Sequence, residues 1–433
     1  MPDHETVLSP LDDPPDAPAA EMRRREQAWH STHRAGALWP GLDADVLQRA
    51  ADAIGVAVAG VLREDRATLP WDGAAQRDAR ALGVAALLTG VGPLLGVWLE
   101  RGTLAADDSA ARVLARHLAH SRARAARIRA GVLPVLGRME TAGLAPGVIK
   151  GFHTAHEYFP EAGARPTADV DVVVAPEQVP RTMQILRDAG FVSVLATRSG
   201  SKSEWTSPDH DGVIHSHELW HARNPWKLDL HDGLNFAAVM REVRVPQTAS
   251  LSDAIHVDGV ALRVCEPNEL ISVLATHGST ELYSQRLLRL VELVLVVRRA
   301  GSLGRLDWDA VDASLAGRGT RRFALPLLTL AEQLAPGTVP APVLGRLRGD
   351  ASRRIVAVTS RFTPTAPVLD ERFSLSERLL WVIGVRATVR RLWRMIAPLE
   401  DVPLRARLAT YRHRATRLLS MLGGRPRSGD DTR

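Results

Sequence analysis

Asp169 and Asp171 are the residues of this chain whose type and spacing point most directly to chemistry. They open the run Asp169-Val170-Asp171-Val172-Val173-Val174. On a strand, alternation sends both carboxylates to one face while the valines continue a buried apolar strand. Two carboxylates side by side seat hard divalent cations such as Mg²⁺ or Mn²⁺, which take oxygen ligands. A pair of such ions about 3.5–4 Å apart clamps the attacking and leaving oxygens of a phosphoryl displacement. Upstream, Val148-Ile149 reads as a short strand ending at Lys150-Gly151, with a helix beginning across Phe152 to Tyr158. A glycine there lets backbone approach a phosphate, and a helix start favours an anion. Lys150 is one of three lysines among 55 basic residues. It reads either as a chosen point charge beside that turn or as a surface residue at a strand end.

Taken together, Lys150-Gly151, the following helix and Arg165-Pro166-Thr167-Ala168-Asp169-Val170-Asp171 entering a hydrophobic strand resemble the uncharacterised bacterial nucleotidyltransferases of the polymerase-β superfamily. The resemblance continues through the helix from Gln178 to Ala189, the Ala189-Gly190-Phe191 turn, the strand Leu228-Asp229-Leu230-His231, and the helical stretches Pro267 to Gly278 and Arg286 to Arg299. It covers roughly residues 120 to 310. It implies that Asp229 fills the third acidic position beside Asp169 and Asp171, and that the three hold Mg²⁺ or Mn²⁺ for an NTP substrate. Three carboxylates gathered this closely raise one another's pKa unless a cation neutralises them. The resemblance also implies that Lys150 and Gly151 meet the triphosphate, and that Arg165 either braces its loop or touches a phosphate. One departure is plain. Classical members carry Gly-Ser at the phosphate turn, whereas Phe152 follows Gly151 here.

His217-Glu218-Leu219-Trp220-His221 spells H-E-x-x-H, which on a helix places two imidazoles on one face for zinc. Its surroundings argue for a strand hairpin instead, because Val213-Ile214 precede it and the turn Ala222 to Pro225 leads into alternating Trp226 to Leu230. On a strand the two histidines lie about 13 Å apart, too far to share one zinc. Neither a zinc site nor a peptidase is expected. The Ser-, Asp- and Gly-rich stretch Thr197 to Gly212 reads as a loop over the site, with Lys202, Glu204 and Asp209 read as solvated members in preference to substrate ligands. His231 and Asp232 read as supports of the acidic residues or as turn formers.

The 433 residues suffice for two or three cores, and 45% hydrophobic with 24% charged is ordinary for a globular protein. The expected fold is α+β, organised as a disordered tail (1–20), a helical N-terminal arm (21–142), a small mixed-sheet nucleotidyltransferase core (143–262), a helical C-terminal domain (263–422) and a second disordered tail (423–433). Apolar positions Val113, Leu114, Leu118, Ile128 and Val132 recur at helical spacing in the arm. A basic stripe, Arg405, Arg407, Arg412, Arg414 and Arg417, marks the last helix as a solvated face. The net charge of +6 comes almost wholly from arginine in an alanine-rich chain, so it reflects composition more than a nucleic-acid surface. The apolar run Leu87 to Leu99 is too short to span a bilayer and is broken by Gly90, Gly92 and Pro93. The acidic N-terminus lacks signal-peptide order, and the single Cys265 excludes an internal disulfide, so a cytoplasmic location is expected.

The expected activity is transfer of a nucleoside monophosphate from an NTP to a small molecule, peptide or protein. Nucleic acid is a less favoured acceptor, and neither membrane nor oligomeric state enters the reading. The rival expectation is a catalytically silent protein that keeps the same fold to hold a nucleotide or a partner.

Overall fold

A computed structural model describes most of residues 35–365. The stretches 72–75, 197–201, 213–220, 234–250 and 283–285 and positions 43, 211 and 281 are excepted, and a few isolated residues outside those limits are also described. The basic stripe of residues 402–422, both tails, and His217 and Glu218 lie outside the described residues.

After a helical turn at Ala35–Leu38 come helices α1 (Ala44–Glu64), α2 (Gln76–Thr89) and α3 (Gly92–Glu100), stitched by a parallel pair of two-residue strands, β1 (Ala67–Thr68) and β2 (Leu104–Ala105). A 34-residue helix, α4 (Asp108–Thr141), follows. Asp107 starts it by accepting hydrogen bonds from the backbone N–H groups of Ser109 and Ala110 at 2.7 and 2.9 Å. This satisfies donors that a helix start leaves open. Then come β3 (Gly147–Ile149), α5 (Gly151–Glu157), β4 (Asp169–Val173), α6 (Val179–Asp188), β5 (Val192–Ala196), β6 (Lys202–Thr206), β7 (Lys227–His231), β8 (Asp253–Val257) and β9 (Val260–Val264). The remaining described helices are α7 (Pro267–Thr280), α8 (Arg286–Ser302), α9 (Trp308–Gly317), α10 (Arg321–Leu334), α11 (Ala341–Asp350) and α12 (Arg353–Arg361).

Seven of the described strands form one mixed sheet in the order β5-β6-β7-β4-β3-β9-β8. The β4–β7 and β3–β9 pairs are parallel and the others antiparallel. Because side chains alternate, each central strand faces two environments. Val148, Val170, Val172, Trp205, Leu228 and Leu230 form one apolar core with Ile128, Val132 and Leu136 of α4 and Leu186 of α6. On the other face Ile149 and Val173 join a larger core, built from helices at both ends of the chain: Ile54 and Val58 of α1, Leu94 of α3, Leu270 and Leu274 of α7, Leu290 and Val294 of α8, and Phe323 of α10. That second face is apolar only at one end. Beside it, the alternate positions of β4, β7 and β6 carry Asp169, Asp171, Asp229, His231, Lys202 and Glu204.

The mixed α+β architecture is as expected, but two local expectations are corrected. Residues 202–206 are a strand, not part of a surface loop, and β6 pairs with β7 along its whole length. The hairpin expected between Val213-Ile214 and β7 also gives way, since β6 and β4 occupy both edges of β7; Val213 and Ile214 themselves lie outside the described residues. Among the described residues no single helix is long and apolar enough to cross a membrane, although α2 and α3 pass on length and composition when taken together across a 111° bend.

Candidate active site

The parallel pairing of β4 and β7 builds the site. Register sets Asp171 directly beside Asp229 and Val173 beside His231, so the acidic residues of two distant segments reach one face. Asp171, Asp229 and His231 are all buried, and each offers one ligand atom within 4.8 Å of the others. Asp169 begins β4 on the same face and keeps an exposed edge. His231 Nε2 lies 2.9 Å from Asp171 Oδ1. It therefore supports the carboxylate directly, which the sequence left open between support and turn former.

The three lysines of the chain converge here. Lys150 Nζ is 3.1 Å from Asp171 Oδ1, and Lys202 Nζ is 2.6 Å from Asp229 Oδ2 and 3.2 Å from Glu204 Oε1. Lys227, at the more exposed edge, pairs with Glu204 Oε2 at 3.1 Å. These contacts divide the carboxylates electrostatically. Around Asp169, loss of solvation and then the charges of Asp171 and Asp229 push the pKa up to about 6. Burial acts the same way on Asp171, but Lys150 and the His231 hydrogen bond outweigh it and hold that carboxyl well below the usual range. Burial raises Asp229 despite the Lys202 ammonium beside it. Lys202 is opposed by burial, yet Asp229 and Glu204 hold it above its ordinary value. Splitting of this kind within one cluster marks a site where ionisation states are set by environment.

Two arginines fix the loops that deliver the strands. Arg124 of α4 is 1% exposed and spends all five donors on backbone carbonyls. It donates to Thr167 O (2.8 Å) and Ala168 O (3.2 Å), which precede β4, and to His221 O (3.2 Å), Asn224 O (2.6 Å) and Pro225 O (2.9 Å), which precede β7. One planar fork thus locks the entries of both acid-bearing strands. Burial pushes its guanidinium down to about 10, still charged at neutral pH.

Arg165, the second, donates from Nε to Glu292 Oε1 at 2.7 Å, from Nη2 to Glu292 Oε2 at 3.3 Å and from Nη1 to Pro166 O at 3.2 Å. Glu292 lies in α8, is buried, and also accepts from Thr154 Oγ1. Of the two roles expected for Arg165, bracing the loop is what these contacts do. The guanidinium also covers Gly151, where a Cβ would lie 2.5 Å from Arg165 Nη1. The close approach that this glycine permits here is therefore by an arginine.

Lys150 has φ 51° and ψ −126°, a backbone state rarely tolerated outside glycine. Its carbonyl accepts from Thr154 N at 2.8 Å and from Thr154 Oγ1 at 3.0 Å, so the α5 turn holds the strained residue with its ammonium on Asp171.

The donor set fits a divalent cation. Asp229 Oδ1 is fully buried and has no hydrogen-bond partner among the described residues. A buried carboxylate oxygen left unbonded is costly unless something of positive charge takes it up. His221, the described end of the H-E-x-x-H stretch, stacks on His120 with ring centroids 4.4 Å apart and accepts from Arg223 N through Nδ1. That nitrogen is committed to structure.

Lys202 and Glu204, expected as solvated loop residues, join the acidic cluster instead, and neither Arg124 nor the partnership of Glu292 was foreseen. Lys202-Ser203-Glu204-Trp205-Thr206 does alternate, and Glu292 interrupts an otherwise apolar helical face, so both signals were present. Arg124 had none, being one arginine among many.

A sheet that aligns carboxylates from parallel neighbouring strands, with ammonium groups at its rim, has the make-up of a phosphate-handling transferase. The chain belongs to a family of uncharacterised nucleotidyltransferases, whose sequence profile matches residues 76–336. That span takes in every residue of the site and extends beyond the region of resemblance at both ends. No curated protein and no solved structure was found to match.

Proposed function

We propose that the chain transfers a nucleoside monophosphate from an NTP to an acceptor hydroxyl or phosphate on a polymerase-β-type core, with Mg²⁺ or Mn²⁺ held by Asp169, Asp171 and Asp229. The observation that carries this reading is the in-register pairing of Asp171 with Asp229, whose buried Oδ1 accepts no hydrogen bond from the described residues. The divalent cation supplies charge neutralisation at the α-phosphate and at the leaving oxygen. The acceptor oxygen bonds to the α-phosphorus, the bond from that phosphorus to the bridging oxygen of the β-phosphate breaks, and pyrophosphate leaves. Asp229, whose pKa is raised, takes the acceptor proton. Lys150, beside Gly151, turns its ammonium toward the triphosphate. The acceptor is a small molecule, peptide or protein and the setting is the cytoplasm.

One observation favours a silent nucleotide-binding protein instead: the residue after Gly151 is Phe152, which is buried and carries no hydroxyl. Thermal melts with ATP, GTP, CTP and UTP, each with Mg²⁺, Mn²⁺ or EDTA, test the binding common to both readings, because a ligand bound to the folded state raises its stability. A metal-dependent rise is expected with at least one nucleotide. Equal rises in EDTA, or none in any mixture, would remove the metal site. Pyrophosphate release separates enzyme from binder.

A further inference from the structure

Each of the two buried carboxylates that would seat a cation already holds an ammonium group. Lys150 sits on Asp171 and Lys202 on Asp229, at 3.1 and 2.6 Å. A divalent ion seated on Asp171 Oδ1 competes with Lys150 for that oxygen, and one seated on the open Asp229 Oδ1 shares its carboxylate with the Lys202 ammonium on Oδ2. The two ammoniums cannot go far: Lys150 is fixed by a strained backbone turn, and Lys202 springs from a strand paired along its length with β7. They would remain beside the ion as like charges, in a partly desolvated recess where repulsion is poorly screened. A polyphosphate entering alone meets the opposite obstacle, because Asp169, Asp171, Asp229 and Glu204 repel it while the lysines stay engaged. The two ligands remove each other's obstacle, since the ion frees the ammoniums and the phosphates receive them.

From this geometry we infer that Lys150 and Lys202 are stand-in cations of the resting site, and that the protein takes up divalent metal and polyphosphate as one unit. The inference rests on the metal-dependent reading above and adds to it a binding order and a ligand role for Lys202. That lysine becomes a phosphate ligand delivered from the β6 side of the acidic cluster, across the sheet from Lys150. The use of lysine fits the task. In a chain that otherwise uses arginine, a compact ammonium on a flexible stem can move between carboxylate and phosphate, whereas a guanidinium fork is committed to one planar partner.

The test titrates the full-length protein, by calorimetry, with Mn²⁺ alone, with inorganic tripolyphosphate alone, and with the preformed Mn²⁺–tripolyphosphate complex. Tripolyphosphate removes any dependence on the nucleobase. In wild type the complex should bind at least about tenfold more tightly than either component, within the usual range of coupling between two ligands. Lys202→Met should bind Mn²⁺ alone about tenfold more tightly than wild type, because the internal competitor is gone, and should bind the complex more weakly. Lys202→Arg keeps the charge, so its Mn²⁺ affinity should stay near that of wild type while its affinity for the complex falls. If Lys202→Met does not fold, Lys202→Arg carries the test. Lys227→Met, whose ammonium touches Glu204 and not the triad, should leave all three affinities within about twofold. Mn²⁺ that binds wild type as well alone as in the complex, or that binds Lys202→Met no better than wild type, overturns the inference and leaves the metal site standing. Failure of Mn²⁺ to bind wild type in any mixture removes the metal site itself.

Discussion

The three aspartates share a face but not a chemical state, and this gives each a separate expected behaviour. Asp229→Asn keeps shape while removing the charge and the proton acceptor. Pyrophosphate release should fall roughly 10²- to 10⁴-fold, as is typical when a general base is lost. Asp169→Asn should also be inactive, and near-wild-type turnover in Asp229→Asn beside a dead Asp169→Asn would take Asp229 out of the site. Asp169 further predicts a pH effect on stability. Its folded pKa of about 6 lies above the ordinary value of 3.8, so the folded state binds this proton more tightly than the unfolded chain does. The resulting stabilisation is complete below the ordinary value and is lost as pH rises through about 6. Metal-free Asp169→Asn should therefore melt above wild type at pH 7.5 and approach it at pH 4, and saturating Mn²⁺ should reverse the order at pH 7.5 by stabilising wild type. Superimposable melting curves for the two metal-free proteins at pH 7.5 would show that Asp169 carries no such burden.

Among the elements, β4 and β7 were legible in the sequence because each alternates acid with aliphatic residues, and both faces of such a pattern have an evident use. The helices were legible for the same reason at a different period. β6 was not. It is five residues long, lies between stretches rich in serine, glycine and aspartate, and presents Lys202 and Glu204 where a core strand would present apolar side chains. Polar alternation resembles a loop whenever the buried face is a site instead of a core. Which strands are neighbours was likewise unreadable, because the parallel β4–β7 pairing joins residues about sixty positions apart through contacts that leave no local signature. The device that aligns them, Arg124, is visible only once the carbonyls of both strand entries are seen to converge on one side chain. Arg124→Lys keeps the charge but loses the five-donor fork, leaving buried carbonyls unmet at about 1–3 kcal/mol each where no water replaces them. A loss on the order of 3 kcal/mol in denaturant unfolding is expected, together with weaker Mn²⁺ binding in the protein that remains folded. Wild-type Mn²⁺ affinity in a folded Arg124→Lys protein would show that strand entry and metal seat are independent.

Besides the shared apolar core, a buried ion pair joins the acidic sheet to the helical region. Glu292 projects from α8 to meet Arg165, the residue that introduces β4, and it also takes the Thr154 hydroxyl from α5. The Arg165 and Thr154 contacts together hold Glu292 below the usual carboxylate range against the opposing effect of burial. Breaking a buried pair on one side leaves an uncompensated charge, so Glu292→Leu should cost about 3–5 kcal/mol. Replacing both partners removes that charge, and Arg165→Met/Glu292→Leu should be more stable than Glu292→Leu alone. The double variant also separates the two roles the sequence left open for Arg165. If the arginine only braces the loop, the double variant should regain Mn²⁺–tripolyphosphate affinity to within a few-fold of wild type, because an apolar contact can hold the same junction. If the guanidinium also meets a phosphate, affinity should stay at least about tenfold weaker in the double variant despite its recovered stability. Bracing is the expected outcome, since all three donor nitrogens of Arg165 are committed within the protein. A stable double variant that fails to bind the complex would instead make Arg165 a phosphate ligand that leaves Glu292 on binding.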